Sequence, residues 1–283
     1  MYLVLHMVLT RLNIGTARQG AFLLFLVFLL AATGCRGTDP NAVGGVMTVA
    51  GSTSVQPFAE KLAEEFMAEH PEYNINIQGG GSSAGVRAAQ TGAAQIGMSS
   101  RNLKEKEKGL HERVIAYDGI AVIVHRDNPL EGLSKKEVAG IFAGDYANWK
   151  ELGGSDGTIH FVAREEGSGT RGAFEKMVME DREISLRALV QASNGAVREI
   201  IARDPGSIGY ISLGLVDNRV KALSVDGARA SRQDIMGGRY ELVRPFLFLT
   251  QEEPEGTART FVEFIMGPQG QELLSAEGLM PGE

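Results

Sequence analysis

A short apolar run followed by a loop of small and hydroxyl residues occupies residues 159–170, with the sequence IHFVAREEGSGT. The apolar run predicts a buried β-strand, and the spacing of Phe174, Met177 and Val178 predicts a helix with one buried face. Gly, Ser and Thr between a strand and a helix favour a loop that leads into a helix N-terminus, where backbone N–H groups lack partners. This strand–loop–helix unit therefore indicates both a fold class and a place where an anion can bind.

The same unit occurs twice more towards the N-terminus. One copy runs from a predicted strand at 47–50 through GSTS at 51–54 into a predicted helix at 55–70. The other runs from 75–77 through GGGSS at 79–83 into a shorter helix. Alternating strands and helices are typical of an α/β fold with a mostly parallel sheet, whose loops bind ligands at the carboxyl ends of strands. Each loop alone could be an ordinary helix cap, but three together favour an anion site.

Composition and charge limit the function classes. The 283 residues are enough for two domains, 43% of them are hydrophobic, and the formal net charge is −7. No Lys/Arg run of five or more occurs, which argues against binding to nucleic acid. The histidines are scattered and the single cysteine can form neither an internal disulfide nor a cysteine-based zinc site. We therefore expect no metal, no cofactor and no nucleic-acid partner.

The N-terminus resembles an export sequence. Residues 1–34 contain Arg11 and Arg18 but no acidic residue, and the apolar run at 21–32 is too short to span a bilayer. This pattern predicts a signal peptide over 1–34. It ends in ATGC at 32–35, which resembles a bacterial lipobox, although an ordinary signal peptide with an incidental Cys35 is the alternative. We expect lipidation at Cys35, a lipid-anchored tether at 35–45, and a protein anchored to the cell membrane that faces the periplasm or the exterior.

The loop motifs do not match those of hydrolases or nucleotide-binding enzymes. Ser168 lacks the glycine of a nucleophile elbow, because Glu166 stands two residues before it, and no Gly-Lys dipeptide of a Walker A loop occurs. An exported phosphatase or phosphotransferase with Ser168 or Thr170 as nucleophile would need a neighbouring base or metal cluster, which the sequence pattern does not supply. The sequence therefore favours a binding protein over an enzyme.

Six short motifs, in this order over about residues 46–280, resemble those of the phosphate-binding proteins of bacterial phosphate ABC transporters. They are AGSTSV at 50–55, GGSSAG at 80–85, IGMSSR at 96–101, DGIA at 118–121, REEGSGT at 164–170 and PGSIGY at 205–210. The resemblance implies a two-lobed α/β fold of the periplasmic-binding-protein type, with hinge strands and a ligand cleft between the lobes. Lobe I would comprise 46–122 and 226–283, and lobe II would comprise 123–225.

The resemblance also implies a function and a set of ligand contacts. The protein would bind inorganic phosphate outside the cytoplasmic membrane and deliver it to a permease that works with an ATPase subunit. The implied phosphate-binding residues are Thr53, Ser54, Ser82, Ser100, Asp118, Arg164, Ser168, Gly169 and Thr170.

Two acidic residues have expected roles in this site. Ser100 stands where some family members carry an aspartate, so Asp118 is the candidate carboxylate that accepts the proton of phosphate; a turn residue before Gly119 is the alternative. Glu166 is expected to orient Arg164 through a salt bridge. An ionised acceptor would favour phosphate over sulfate, which carries no proton near neutral pH. A binder of another tetrahedral oxyanion, such as sulfate or molybdate, and a phosphate sensor remain alternatives.

Overall fold

The structure is a computed structural model that describes residues 45–282. The predicted signal peptide at 1–34, Cys35 and the predicted tether up to residue 44 lie outside the described residues.

Strands and helices alternate along the described part of the chain. The strands are β1 (Val46–Gly51), β2 (Asn74–Gly79), β3 (Ile96–Ser99), β4 (His111–His125), β5 (Gly132–Leu133), β6 (His160–Arg164), β7 (Leu189–Gln191), β8 (Ser207–Ser212), β9 (Val220–Ala222), β10 (Ser224–Val225), β11 (Val243–Thr250) and β12 (Met280–Pro281). The α-helices are α1 (Gln56–Glu69), α2 (Ser82–Thr91), α3 (Lys135–Ala143), α4 (Gly169–Phe174), α5 (Asn194–Arg203), α6 (Arg232–Met236), α7 (Gly256–Met266) and α8 (Pro268–Ala276). This alternation confirms the predicted α/β fold class.

The helix predicted after residue 170 is shorter than expected. α4 ends at Phe174, and the buried Val178 follows on a π-helical turn, Glu175–Met179. Such π-helical turns are rare and often occur near functional sites. The chain therefore continues in a helical direction past α4, with its side chains displaced from the regular α-helical positions.

One large sheet connects most of the strands. Its order is β2-β1-β3-β11-β4-β8-β6-β7, and β9 and β12 also pair with β4. β1 is parallel to β2 and β3, and β6 is parallel to β7 and β8, whereas β4 is antiparallel to β11 and β8. The 15-residue strand β4 pairs with β11 up to Gly119 and with β8 from Ile120 onward. β4 therefore runs through both parts of the sheet.

The hydrophobic core changes at the middle of β4. We call residues 46–119 and 243–282 the first half, whose core includes Phe58, Phe66, Phe246 and Phe261. We call residues 120–242 the second half, whose largest core cluster includes Phe142, Phe161, Phe174, Tyr210, Tyr240 and Leu242. Segment 226–242 thus packs with the second half, although lobe I was predicted to begin again at 226. The lobe boundaries themselves stay a prediction.

The two crossings between the halves lie side by side. Gly119 of β4 pairs with Val243 of β11, and the N–H of Ile120 donates to the carbonyl of Leu242 at 2.8 Å. Ile120 and Leu242 are buried, and the second crossing lies at the start of β11. Hinges of domain closure commonly consist of a few residues in loops or at the ends of elements. This arrangement agrees with the two hinge strands that the sequence motifs implied.

Candidate functional site

The three predicted loops meet at one place. The loop at 52–55 follows β1, the loop at 80–81 follows β2, and the loop at 165–168 follows β6. The N–H of Ser83 donates to the carbonyl of Gly167 at 3.1 Å, so the second and third loops touch directly across the two halves. The strands that lead into these loops run parallel within each half, and their carboxyl ends face a common cleft.

Glycine is required where the loops approach most closely. A Cβ atom on Gly169 would lie 2.1 Å from the Oγ of Ser82 and 2.5 Å from the Oγ of Ser100. Gly81 has φ +88°, a conformation that favours glycine, and its Cβ would lie 2.9 Å from the carbonyl of Gly167. The two halves therefore contact each other through bare backbone at this point.

Buried hydroxyl groups line the cleft. They belong to Ser52, Ser54, Ser82, Ser100 and Thr170. Ser54 and Thr170 share a hydrogen bond of 2.7 Å between their side-chain oxygens, which joins the two halves. Ser52 donates to the Oγ of Ser100 at 2.9 Å, and the Oγ of Ser82 accepts from the N–H of Ser100 at 3.0 Å. The structure thus brings together four residues of the predicted set: Ser54, Ser82, Ser100 and Thr170.

The loop after β6 supplies the remaining predicted backbone donors. The side chain of Ser168 caps α4 by accepting from the N–H of Arg171 at 3.2 Å. The N–H groups of Gly169 and Thr170 lie in the first turn of α4, where a helix offers no internal acceptor. These two N–H groups therefore remain available to a ligand in the cleft.

Arg164 is a buried arginine at the end of β6. Its side chain is 1% exposed, and its Nη2 donates to the hydroxyl of Thr53 in the first half at 2.9 Å. Its Nε and Nη2 also donate to the carbonyls of Gln191 and Ala192, at 3.2 and 3.3 Å. The third nitrogen, Nη1, is buried and has no hydrogen-bond partner among the described residues. A buried, charged N–H group without a partner is costly, so this nitrogen is a candidate contact for an anionic ligand.

The carboxylate that orients Arg164 is Glu165, which corrects the expectation for Glu166. Both oxygens of Glu165 accept from Arg164, Oε2 from Nε and Oε1 from Nη2, each at 3.0 Å. The side chain of Glu166 is exposed. The two acids are adjacent, and the turn at 165–168 directs the first of them back along β6 and the second outward.

Asp118 is paired with protein groups. Its Oδ2 accepts from the Nε and Nη2 of Arg244 at 3.1 and 2.9 Å, and its Oδ1 accepts from the hydroxyl of Ser212 at 3.0 Å. A carboxylate has about four acceptor positions, and these contacts occupy three of them. They position Arg244, and the expected role of Asp118 as acceptor of the proton of phosphate stays a prediction.

Arg244 connects this ion pair to the cleft. Its Nη1 donates to the carbonyl of Ser100 at 3.2 Å and to the hydroxyl of Thr170 at 2.8 Å. Burial raises the pKa of Asp118, and the charge and hydrogen bonds of Arg244 act against that rise. Burial also lowers the pKa of Arg244, and Asp118 opposes that change. The pair is 1–2% exposed, so each charge depends on the other for its stability.

Several of these residues were not predicted as site residues. They are Ser52, Glu165, Asn194, Ser212 and Arg244. Arg244 could have been identified from the sequence, because a charged residue at the start of an otherwise apolar strand must find a buried partner. Asn194, at the start of α5, donates to Ser54 at 2.9 Å and accepts from the N–H of Ser212 at 3.2 Å. No pattern in the sequence indicated this role of Asn194.

Within residues 45–282, no helix combines the length and the hydropathy needed to cross a bilayer. In the same residues, no group of three His, Cys, Asp or Glu side chains lies close enough to hold a metal ion.

Comparison with known proteins gives the class of the chain. Residues 36–269 match the PBP superfamily domain, which covers most of the sequence. The phosphate-binding protein PstS of Bacillus subtilis is 34% identical over 277 residues, covering 92% of each chain. The alternating fold with its cleft between two cores is thus that of a PBP superfamily domain.

Solved structures narrow this class. A phosphate ABC transporter substrate-binding protein from Clostridium perfringens, solved with bound phosphate, is 38% identical, with a TM-score of 0.82 over 84% of this chain and 100% of that chain. An ABC-type phosphate transport receptor from Vibrio cholerae is 35% identical, with a TM-score of 0.71 over 83% of this chain and 99% of that chain. The chain belongs to the family of the phosphate-binding proteins PstS.

Proposed function

We propose that this protein binds inorganic phosphate outside the cytoplasmic membrane and delivers it to the permease of an ABC transporter. Its PstS relatives and the phosphate-bound structure from Clostridium perfringens support this ligand. The observation that carries the proposal is the buried Nη1 of Arg164, which has no partner among the described residues and lies in a cleft lined by hydroxyl groups. The N–H groups of this charged nitrogen are donors well suited to an oxyanion.

The hydroxyl pairs supply donors to the ligand. The oxygen of Ser54 already accepts from Asn194, and that of Thr170 already accepts from Arg244. Each hydroxyl has one hydrogen. One of the two hydrogens forms the bond between Ser54 and Thr170, and the other can be donated to a ligand. The same count holds for Ser82 and Ser100, since Ser82 accepts from a backbone N–H and Ser100 accepts from Ser52. We propose that these outward hydroxyls, Arg164, Thr53 and the first turn of α4 bind phosphate.

Charge in the site is balanced before the ligand binds. Glu165 neutralises Arg164, and Asp118 neutralises Arg244. The attraction for phosphate therefore comes from the free Nη1 of Arg164, from aligned hydroxyl groups and from the N–H groups in the first turn of α4, and it needs no net positive charge in the site. This also explains why a chain with a net charge of −7 can bind an anion, since distant surface charge is screened within about 8–10 Å.

We infer that the two halves act as lobes that close on phosphate. The ligand contacts come from both halves, and the adjacent crossings at 119–120 and 242–243 would serve as the hinge. The lobes predicted as 46–122 with 226–283 and as 123–225 then need two adjustments, since residues 120–122 and segment 226–242 pack on the core clusters of the second lobe. We also propose that the protein is a binding protein and not an enzyme, because its relatives are phosphate-binding proteins.

Calorimetry tests the proposed ligand. The purified protein, freed of phosphate by dialysis, is titrated with phosphate and then with sulfate near neutral pH. We expect one phosphate per chain and at least about tenfold weaker binding of sulfate. Equal binding of sulfate would favour a general oxyanion binder, and binding of neither ion would show that the loops are ordinary helix caps.

We also propose that the mature protein is anchored to the membrane through a lipid on Cys35. The support is the lipobox-like ATGC at 32–35 after a short apolar run. Cys35→Ser is expected to move the protein from the membrane fraction to the soluble fraction of the producing cells. Retention of the variant in the membrane fraction would contradict the anchor, and unchanged phosphate binding by the variant is the control for folding.

A further inference from the structure

A second cavity, of about 470 Å³, lies beside the phosphate cleft. It is formed between the segment that follows β3 and the helical segment that begins with α4. Its lining residues are Arg101, Asn102, Leu103, Lys104, Gly172, Ala173, Lys176, Met177, Val243 and Arg244. A volume between about 300 and 1,000 Å³ is typical of small-molecule sites. The cavity is therefore large enough for a ligand several times the size of a phosphate ion.

The charge of this cavity is positive. Among residues 45–282 no acidic residue lines it, and four of its lining residues are cationic. Arg101 and Arg244 are held by Glu107 and Asp118. Lys104 and Lys176 are exposed and form no salt bridge among the described residues, although the charge of Lys104 also acts on Glu107. Two ammonium groups at one cavity whose lining holds no carboxylate favour an anionic occupant.

The remaining walls are mostly apolar. Leu103, Ala173, Met177 and Val243 contribute them, and Met177 can adapt its flexible side chain to different shapes. An inorganic ion in the cavity would leave these apolar walls in contact with water. A small organic anion, with its charged group at the lysines and an apolar body against Met177, would cover both kinds of surface.

The cavity is distinct from the phosphate cleft. The cleft hydroxyls and Arg164 do not line it, and Arg244 is the one lining residue that also contacts Thr170. The cleft residues are almost fully buried, whereas Lys104 and Lys176 at the cavity are exposed. We propose that this cavity is a second binding site, which takes a small organic oxyanion with an apolar body. The proposal goes beyond the proposed function, and only the displacement arm of its test rests on phosphate binding.

Phenyl phosphate is a suitable probe, since it combines an oxyanion with an apolar ring. The purified protein, loaded with one equivalent of radiolabelled phosphate, is titrated with phenyl phosphate by calorimetry, and equilibrium dialysis follows the retained label. We expect one further binding event without loss of label, and weaker binding of methyl phosphate, which lacks the ring. Lys104→Glu and Lys176→Glu are each expected to weaken phenyl phosphate binding by about fivefold or more. Lys106→Glu, an exposed neighbour outside the cavity, is the matched control.

Three outcomes would overturn the proposal. They are no binding of phenyl phosphate at millimolar concentration, displacement of the labelled phosphate in equal amount, and equal affinity in all the lysine variants. Phosphate titrations of the same variants separate this question from the proposed function. Unchanged phosphate affinity in Lys104→Glu and Lys176→Glu together with lost phenyl phosphate binding supports a separate site.

Discussion

The two buried arginines of the cleft differ in how far the protein uses their donors. At the end of β6, Arg164 leaves one nitrogen without a partner in residues 45–282, and its carboxylate Glu165 is 31% exposed. At the start of β11, Arg244 has all three nitrogens bonded to protein, and its carboxylate Asp118 is 1% exposed. One guanidinium is thus open towards a ligand, and the other is committed to protein groups.

The two arginines therefore have different roles: Arg164 is placed to contact a ligand, and Arg244 holds other groups of the site in position. Arg244 bonds to Ser100 in the first half and to Thr170 in the second, and it lies at the crossing between the halves. It fixes the positions of hydroxyl groups that we propose to contact phosphate. Arg164 is fixed by Glu165 and by two carbonyl groups, so its free nitrogen is held in place before the ligand binds. Variants of the two pairs should therefore fail in different ways.

The largest effect is expected for Arg164→Ala. It removes the ligand-facing charge from a site that excludes water, so phosphate affinity should fall by about 4 kcal/mol, or roughly 1,000-fold. Calorimetry measures this loss. Arg164→Lys keeps the charge but lacks the fork and should recover only part of the affinity. Arg187→Ala, an exposed arginine of the same half, is the control, and an Arg164→Ala affinity within threefold of that control would remove Arg164 from the site.

Asp118→Asn should act mainly on stability. It leaves the buried charge of Arg244 without a counter-ion, so the free energy of unfolding of the phosphate-free protein should fall by about 3 kcal/mol. The added positive charge should also narrow the preference for phosphate over sulfate. Urea unfolding and calorimetry measure the two effects. If stability matched that of the exposed control Asp127→Asn while phosphate binding was lost, Asp118 would contact the ligand and the positioning role would be wrong.

A third buried pair, Arg101 with Glu107, extends the comparison to an ion pair outside the cleft. Burial alone would raise the pKa of Glu107, but hydrogen bonds from Arg101 and the Lys104 N–H, together with their charges, outweigh it and lower the pKa. The stabilisation by Glu107 is therefore present above the ordinary Glu pKa of about 4.3, and it is lost as the pH falls through the folded-state value.

Glu107→Gln should cost about 2 kcal/mol of unfolding free energy near pH 7. The gap to the wild type should narrow below about pH 4, where the wild-type carboxylate also becomes neutral. Urea unfolding at several pH values measures the gap, and phosphate affinity should stay unchanged. Glu105→Gln, an exposed neighbour, is the control. A gap that does not depend on pH would assign the effect of Glu107→Gln to packing rather than to charge.

The smallest effect is expected for Glu165→Gln, which sharpens the choice between the adjacent acids. It weakens the contacts that orient Arg164, so phosphate affinity should fall by about tenfold, or roughly 1.4 kcal/mol. Glu166→Gln is the matched variant and should bind phosphate within about twofold of the wild type, because its side chain is exposed. If the two variants behaved in the opposite way, the original interpretation of Glu166 would be restored.

The sequence predicted those parts of the cleft that depend on local patterns. Each of the three loops follows a short apolar strand and precedes a helix, and both signals lie within about fifteen residues of the loop. Arg164 and the hydroxyls of Ser54, Ser82 and Thr170 could therefore be singled out from the sequence, whereas Ser100 was named only through the family resemblance. The fold class followed from the same repetition of strands and helices.

Local sequence patterns predict neither which distant strands pair nor in which direction a side chain points. The partner of Asp118 lies 126 residues away in the sequence, and only the pairing of β4 with β11 brings Arg244 beside it. The choice between Glu165 and Glu166 depends on one turn, which directs neighbouring side chains to opposite sides. Composition and spacing are the same for either choice, so only the three-dimensional path of the loop decides it.

The interrupted course of the first half has a consequence for the order of folding. Its strands β3 and β4 pair with β11, which follows the entire second half in the sequence. The second half consists of one continuous stretch, so its contacts can form as soon as residues 120–242 have emerged. The first half must wait for residues 243–250, because contacts between distant segments carry a larger loop-closure entropy. The cleft is therefore completed last, when the C-terminal segment joins β3 and β4.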